Sequence, residues 1–450
     1  MTESPGSVRL HLRPGPPLRG AVLPPGDKSI THRAILLALL ARGESVIRRP
    51  NRGRDCEATL ACARAVGLEA LDDGDAWRLI GTGGALREAD RVLDCGNSGT
   101  TLRLLAGVLA AHPFLSILCG DASLHRRPVR RIIDPLRRMG AVLSARAGDT
   151  LPPLVVRGGP LRGVTLDVPV ASAQIASSVL LAGLQGEGVT EVTLPGAARD
   201  HTERMLVPFG VVAEVTPGAH GGRRTRLEGP RVPVAADVTV PGDFSAAAFF
   251  LAAAAATPGG EVTATGVSLN PTRTGLLDVL ERMGAAVERR ATASDGGEDR
   301  GDVIVRGPER LAATDIPTDW LPRLIDEVPA WAMAAATARG VSRLRGAAEL
   351  RVKESDRLSM LATGLARLGV RVVEHPDGLD IEGGGVTGGT IQAGHDHRIA
   401  MAFAVLAGSA GADVTIEEAD GIETSYPGFV DTLGALGGRV ERIENARRGA

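Results

Sequence analysis

A helix-like segment that stops at a glycine and runs into a strand-like segment occurs six times in this 450-residue chain. The copies are ARAVGLEA, RRMGAVLS, VPFGVVAE, ERMGAAVE, ARLGVRVV and GALGGRVE, with glycines at Gly67, Gly140, Gly210, Gly284, Gly369 and Gly437. Intervals of 73, 70, 74, 85 and 68 residues separate them. A near-constant period of this kind constrains architecture more than any single motif does. Glycine suits a helix that ends in the left-handed conformation. The segments before it, such as RIIDPLRRMG and TGLLDVLERMG, set an apolar stripe opposite a charged one.

A second helix type recurs with the same period. Its copies are SITHRAILLALLA, GTTLRLLAGVLAA, SAQIASSVLLAGL, DFSAAAFFLAAAAA, EVPAWAMAAATA and DHRIAMAFAVLA. Beyond a polar first turn these are apolar all round, the pattern of a helix enclosed on every side. Similar lead-ins, PPGDKS and VPGDFS, precede the first and fourth copies. Each unit therefore holds one buried helix, one surface helix and several strands, which predicts an α/β protein of two similar domains. The break between the two domains is expected near Val240.

Composition removes several function classes. A net charge of −2 gives no bulk attraction to nucleic acid or a membrane surface. Aromatic residues make up 2% of the chain, too few for base-stacking platforms. The run FSAAAFFLAAAAA is shorter than the ~20 residues of a spanning helix, and the first residues lack the apolar segment of a secretory signal. The four cysteines form no CxxC pair and are expected to be reduced thiols in the cytoplasm. The histidines of HDH at 395–397 have no second cluster to complete a metal site. No Walker A lysine or GxSxG serine is present.

The polar residues that need explaining gather at the starts of the buried helices. They are Lys28 and Ser29; Asn97, Ser98, Gly99 and Thr100; Ser172 and Gln174; Asp326; and Asp396, His397 and Arg398. Helix N-termini offer unpaired N–H groups and a positive dipole end, so several such termini suit phosphates and carboxylates. Taken alone, Ser172 and Asp243 read as helix caps, whereas the two glycines of CGNSGTTLR favour contact with a ligand. Arg33, Arg103, Arg127 and Arg357 add guanidinium groups able to hold such anions bidentately. Arg357 follows Lys353 by four residues, on the same face if the segment is helical. Lys28 and Lys353 are the two lysines among 51 basic residues. Lysine, unlike arginine, can give up its proton, which marks these two for chemistry.

At these residues the chain resembles the enolpyruvylshikimate-phosphate synthases, or 3-phosphoshikimate 1-carboxyvinyltransferases. The motifs are PGDKSITHRA, DCGNSGTTLRLLAG, GDASLHRRPVRRIIDPL, SAQIASSVLLAGL, RDHTERML, PGDFSAAAFFLAAA, RVKESDR, DHRIAMAF and SYPGF, in family order from Pro25 to Phe429. The resemblance implies the enolpyruvyl transferase fold, an inside-out α/β barrel in which each domain wraps three βαβαββ units around buried helices. It also implies that the chain crosses between domains twice, so residues 26–240 are expected to form the first domain and residues 1–25 with 241–450 the second. It implies transfer of the enolpyruvyl group of phosphoenolpyruvate to the 5-hydroxyl of shikimate 3-phosphate, with release of phosphate, on the route to chorismate and the aromatic amino acids. The expected enzyme is a cytoplasmic monomer without metal or organic cofactor. It binds neither nucleic acid nor membrane, and it is a glyphosate target.

Carried over by motif, Lys28, Ser29, Arg33, Ser172, Ala173, Gln174, Arg199, Asp326 and Lys353 are expected to hold shikimate 3-phosphate. Lys28, Asn97, Gly99, Thr100, Arg127, Gln174, Arg357, His397 and Arg398 are expected around phosphoenolpyruvate. Asp326 resembles the carboxylate that takes the hydroxyl proton, and Lys28 and Glu354 are candidates for protonating the methylene carbon. Thr424 stands where some members carry a lysine. Ala122 stands where the UDP-N-acetylglucosamine enolpyruvyl transferases carry a reactive cysteine.

Overall fold

The computed structural model describes residues 8–444. Residues 1–7 and 445–450, which the sequence assigns to the second domain, lie outside the described residues. The chain divides into two compact units, one of Gly26–Pro241 with Ser294–Asp299, the other of Met1–Pro25, Gly242–Ala293 and Arg300–Ala450. The short insertion at Ser294–Asp299 is the tip of a hairpin between strands Ala286–Asp295 and Glu298–Arg306. Nothing in the hydropathy pattern announces it.

Each unit has its own apolar core. At the heart of the Gly26–Pro241 unit lie helices Lys28–Leu40, Gly99–Leu109 and Ala173–Gly183. Helices Phe244–Ala256, Val328–Thr337 and His397–Ala410 do the same for the other. These correspond to the all-apolar segments of the sequence. In Phe244–Ala256 every residue up to Ala255 is buried. Such a helix has no solvated face to set its rotation, so its register comes from packing and from its cap. Asp27, Ser98, Asp243 and Asp396 each accept backbone N–H groups at the helix they open. Ser172 does not cap, although it stands at the N-cap position.

The surface helices are amphipathic. Arg130–Met139 buries Ile132, Ile133, Leu136 and Met139 and turns its arginines outward. All six repeat glycines lie in the positive-φ region, from 73° at Gly210 to 123° at Gly67. There a Cβ is strained, so the recurring glycine is a requirement of chain reversal.

Each repeat contributes one sheet. In the second, Leu93–Asp94 pairs parallel with Leu115–Cys119, and Leu151–Arg157 and Val142–Ala145 follow antiparallel. With its two helices this is a βαβαββ unit. The first repeat lacks its own opening strand and takes Val238–Thr239 from the end of the unit. In the other unit, Arg19–Val22 serves the fourth repeat, and Val8–Arg13 lies between Val414–Glu417 and Arg439–Glu444 in the sixth. The fifth repeat departs from the pattern, with a three-stranded sheet. Its fourth position has only parallel bridges, Ala312 to Arg339 and Asp315 to Arg343.

Candidate functional site

In the Gly26–Pro241 unit the three buried helices present the predicted polar residues at their N-terminal ends. Lys28 Nζ is 2.9 Å from Asp55 Oδ2, and both side chains are largely buried. Arg33, one turn after Ser29, donates from Nε to Thr202 Oγ1 at 2.7 Å, from Nη1 to the Ser29 carbonyl at 2.9 Å and from Nη2 to Ser177 Oγ at 2.8 Å. Burial pushes its pKa down to about 10. A guanidinium carries five N–H groups, so one hydrogen on each terminal nitrogen is not used by these three bonds.

The CGNSGTTLR segment is held by two arginines. Arg127 donates to the Asn97 carbonyl at 3.0 Å and to Asn97 Oδ1 at 2.7 Å. Asn97 in turn donates to Asp121 at 2.7 Å. Arg103 Nη1 donates to Gln174 Oε1 at 2.7 Å, and Gln174 Nε2 to Thr100 Oγ1 at 3.1 Å. Both guanidinium groups crowd Gly99. A Cβ there would lie 2.8 Å from Arg103 Nη1 and 3.4 Å from Arg127 Nη1. Asn97, Gly99, Thr100, Arg127 and Gln174 are therefore brought together. Ser172 and Ala173 sit at the opening of Gln174's helix. Arg199 is near enough to Arg33 to act on its charge.

In the second unit Asp326 lies in a 3-10 turn, Ile325–Glu327, ahead of helix Val328–Thr337. Its Oδ1 is 3.6 Å from Arg357 Nη1 and 3.8 Å from Lys353 Nζ. Lys353 also donates to Glu349 at 3.0 Å. Arg357, fully buried, donates to Glu354 at 2.6 Å and from Nε to Asp396 at 2.9 Å. Burial alone would lower its pKa, but Asp396, Glu354 and Asp326 outweigh that and push it up. Arg398 Nη1 donates to the Asp326 carbonyl at 2.7 Å, and its backbone N–H to Asp396 at 2.9 Å. Asp326, Lys353, Glu354, Arg357 and Arg398 thus form one connected cluster. His397 Nδ1 is 3.4 Å from Thr424 Oγ1. Thr424 donates to its own turn at Gly421. Lys353 and Arg357 do not share a helical face, because the helix begins at Arg357. They meet through Asp326 instead.

Three of the residues that build these clusters were not singled out from sequence. Asp55 lies in NRGRDCEATL, a stretch with no visible property beyond its charges. Ser177 and Thr202 lie within quoted motifs, but only the fold turns them onto Arg33.

The family model of EPSP synthase (3-phosphoshikimate 1-carboxyvinyltransferase) matches residues 12–433. A 3-phosphoshikimate 1-carboxyvinyltransferase from Anaeromyxobacter sp. (strain K) is 49% identical over 440 residues, covering 97% of this chain and 98% of that protein. The chain belongs to the EPSP synthase family. A Thermus thermophilus protein of the same name is 48% identical over 424 residues, 94% of this chain and 97% of its own. Among solved structures, EPSP synthase from Acinetobacter baumannii superposes with a TM-score of 0.85 at 39% identity, covering 97% of this chain and all of that one. The enolpyruvyl transferase NikO from Streptomyces tendae, at 19% identity and a TM-score of 0.76, shares the fold over 98% of this chain and 100% of its own. The architecture is thus the enolpyruvyl transferase fold that the repeats and motifs predict. As an EPSP synthase family member, the chain is a carboxyvinyl-transferring enzyme of aromatic amino acid biosynthesis. Ala122 is exposed.

Proposed function

We propose that this enzyme transfers the enolpyruvyl group of phosphoenolpyruvate to the 5-hydroxyl of shikimate 3-phosphate and releases phosphate. The observation that carries this reading is Asp326, a carboxylate flanked at 3.6 and 3.8 Å by the cations Arg357 and Lys353. Asp326 accepts the hydroxyl proton, and its neighbours hold anionic substrate groups. The alkene must gain a proton at its methylene carbon before the adjacent carbon can be attacked. Lys28 or Glu354 supplies that proton and takes it back when phosphate leaves.

Lys28, Ser29, Arg33, Ser172, Ala173, Gln174, Arg199, Asp326 and Lys353 bind shikimate 3-phosphate. Arg33 does so through the hydrogens its protein partners leave over. Lys28, Asn97, Gly99, Thr100, Arg127, Gln174, Arg357, His397 and Arg398 bind phosphoenolpyruvate, with the backbone at Gly99 approached closely because no Cβ is there. Both sets serve one reaction. We further propose that the two compact units are the two three-repeat domains. The enzyme acts as a monomer in the cytoplasm, consistent with four cysteines that form no disulfide and with no described helix long and apolar enough to cross a membrane.

Phosphate release measured with each substrate alone and with both together tests the function. Release only with both, unchanged by a chelator, is expected. Release with phosphoenolpyruvate alone, or a demand for added metal, would refute it.

A further inference from the structure

We propose that His32 is a positioning residue for the phosphoenolpyruvate site, acting through Thr59 and Thr101 on Ser98. The proposal rests on the reading of Asn97, Gly99 and Thr100 given above. His32 is 1% exposed in a helix otherwise apolar from Ala34 onward. A buried imidazole there needs a reason, since an apolar residue would cost less.

Its Nδ1 lies 2.6 Å from Thr59 Oγ1 on helix Arg54–Ala65. Thr59 Oγ1 lies 2.5 Å from Thr101 Oγ1 on helix Gly99–Leu109. Thr101 Oγ1 donates to Ser98 Oγ at 2.7 Å. A hydroxyl has one hydrogen to give. Thr101 spends its hydrogen on Ser98, so it accepts from Thr59. Thr59 spends its hydrogen on Thr101, so it accepts from His32. Contacts of both threonines to the Asp55 carbonyl, at 3.4 Å, are too long to compete.

This direction requires the imidazole hydrogen on Nδ1 and leaves Nε2 bare. Nε2 is indeed buried without a hydrogen-bond partner. A protonated ring would put an N–H there with nothing to accept it. Burial, then the charges of Lys28 and Arg33, push the ring pKa well below its ordinary value, in the same sense.

At the far end Ser98 Oγ accepts from both the N–H of Thr101, at 3.1 Å, and its hydroxyl. Both lone pairs are then used, and Ser98 can act further only as a donor. The relay ties three helices at the point where Gly99 and Thr100 begin. A satisfied buried network of this kind fixes one geometry. It holds the helix start rigid for an anion.

Two measurements test this. Imidazole nitrogen spectra of isotope-labelled protein, with His32 assigned through His32→Asn, read the tautomer whatever the activity. Neutral His32 with its hydrogen on Nδ1 at neutral pH is expected, and a hydrogen on Nε2 or a charged ring would overturn the relay. Kinetically, Thr101→Val and His32→Leu are expected to raise KM for phosphoenolpyruvate roughly fivefold or more, with KM for shikimate 3-phosphate and kcat within about twofold. His32→Asn, whose amide N–H can stand in for Nδ1, is expected to recover most of the loss. Equal rises in both KM values, or no change in Thr101→Val, would refute the proposal. A wild-type enzyme without activity would refute the assigned reaction and leave the spectra to decide the relay.

Discussion

Lys28 survives in a chain that uses arginine almost wherever it needs a positive charge, and its ammonium is paired with Asp55 at 2.9 Å. If charge alone mattered, arginine would serve, because a unit charge at ~4 Å is worth about 4 kcal/mol at an effective dielectric of 20 for either side chain. Arginine has a larger head and a proton it does not release. Lys28→Arg is therefore expected to bind shikimate 3-phosphate, by calorimetry, yet lose turnover by ~100-fold or more, the scale of a lost proton-transfer group. Turnover near wild type would leave Glu354 as the proton donor. Asp326→Asn keeps size and loses the acceptor, and turnover is expected to fall ~100- to 10,000-fold with shikimate 3-phosphate binding retained. A variant within threefold of wild type would place the base elsewhere.

The Arg357–Asp396 pair makes stability depend on pH. Burial alone would raise the Asp396 pKa, but Arg357 outweighs it and the folded value is lowered. The folded state thus gains stability above the unfolded carboxyl value of about 3.9, and loses it as pH falls from there through the folded value. Urea unfolding across the acid range is expected to show that loss. Asp396→Asn is expected to be less stable at neutral pH, at the low end of the about 3–5 kcal/mol cost of breaking a buried pair, because Arg357 keeps Glu354 at 2.6 Å and Asp326 at 3.6 Å. Its acid dependence should also be flatter. An Asp396→Asn curve parallel to wild type would exclude the pair as the source.

Helices Gly99–Leu109 and Ala173–Gly183 pack tightly against each other at Gly107. A Cβ there would lie 2.2 Å from the Ser178 carbonyl oxygen, a backbone atom that cannot swing away. Gly107→Ala must push apart the two helices that carry Thr100 and Gln174. The expected cost is about 1–3 kcal/mol in denaturant unfolding, with KM for phosphoenolpyruvate raised as the Gln174–Thr100 bond is stretched. Wild-type stability would mean that these helices slide freely.

The two units differ in what a contiguous fragment retains. All three sheets of the Gly26–Pro241 unit are made from strands within that span. The other unit borrows Val8–Arg13 and Arg19–Val22 from the start of the chain. A fragment of residues 26–241 is therefore expected to fold, with cooperative thermal unfolding and native-like circular dichroism. It should be weakened by the loss of Glu298, which pairs with the buried His201 at 2.6 Å. It should show no turnover without Asp326 and Glu354. A fragment of residues 242–450 is expected to fail to fold until residues 1–25 are supplied, since two of its sheets lack a strand. Cooperative unfolding of that fragment alone would contradict the strand exchange described above.

Periodic burial, chain reversal and composition are local properties, and they were legible in the residues. Six all-apolar helices, six glycines and the polar first turns follow from side-chain chemistry repeated at a period. Five of the nine motifs that carry the family resemblance, PGDKSITHRA, DCGNSGTTLRLLAG, SAQIASSVLLAGL, PGDFSAAAFFLAAA and DHRIAMAF, lie on those same helices. The hairpin tip at Ser294–Asp299, the borrowed strands and the missing fourth strand of the fifth repeat were not legible. Strand pairing between distant residues leaves no periodic trace in either partner. The same holds for the site. Lys28 and Asp326 stood out by type and position, whereas Asp55 against Lys28, Thr202 against Arg33 and Asp396 against Arg357 arise from contacts across 27, 169 and 39 residues. Such pairings are set by which helix faces pack together, and no spacing within a single segment encodes that choice.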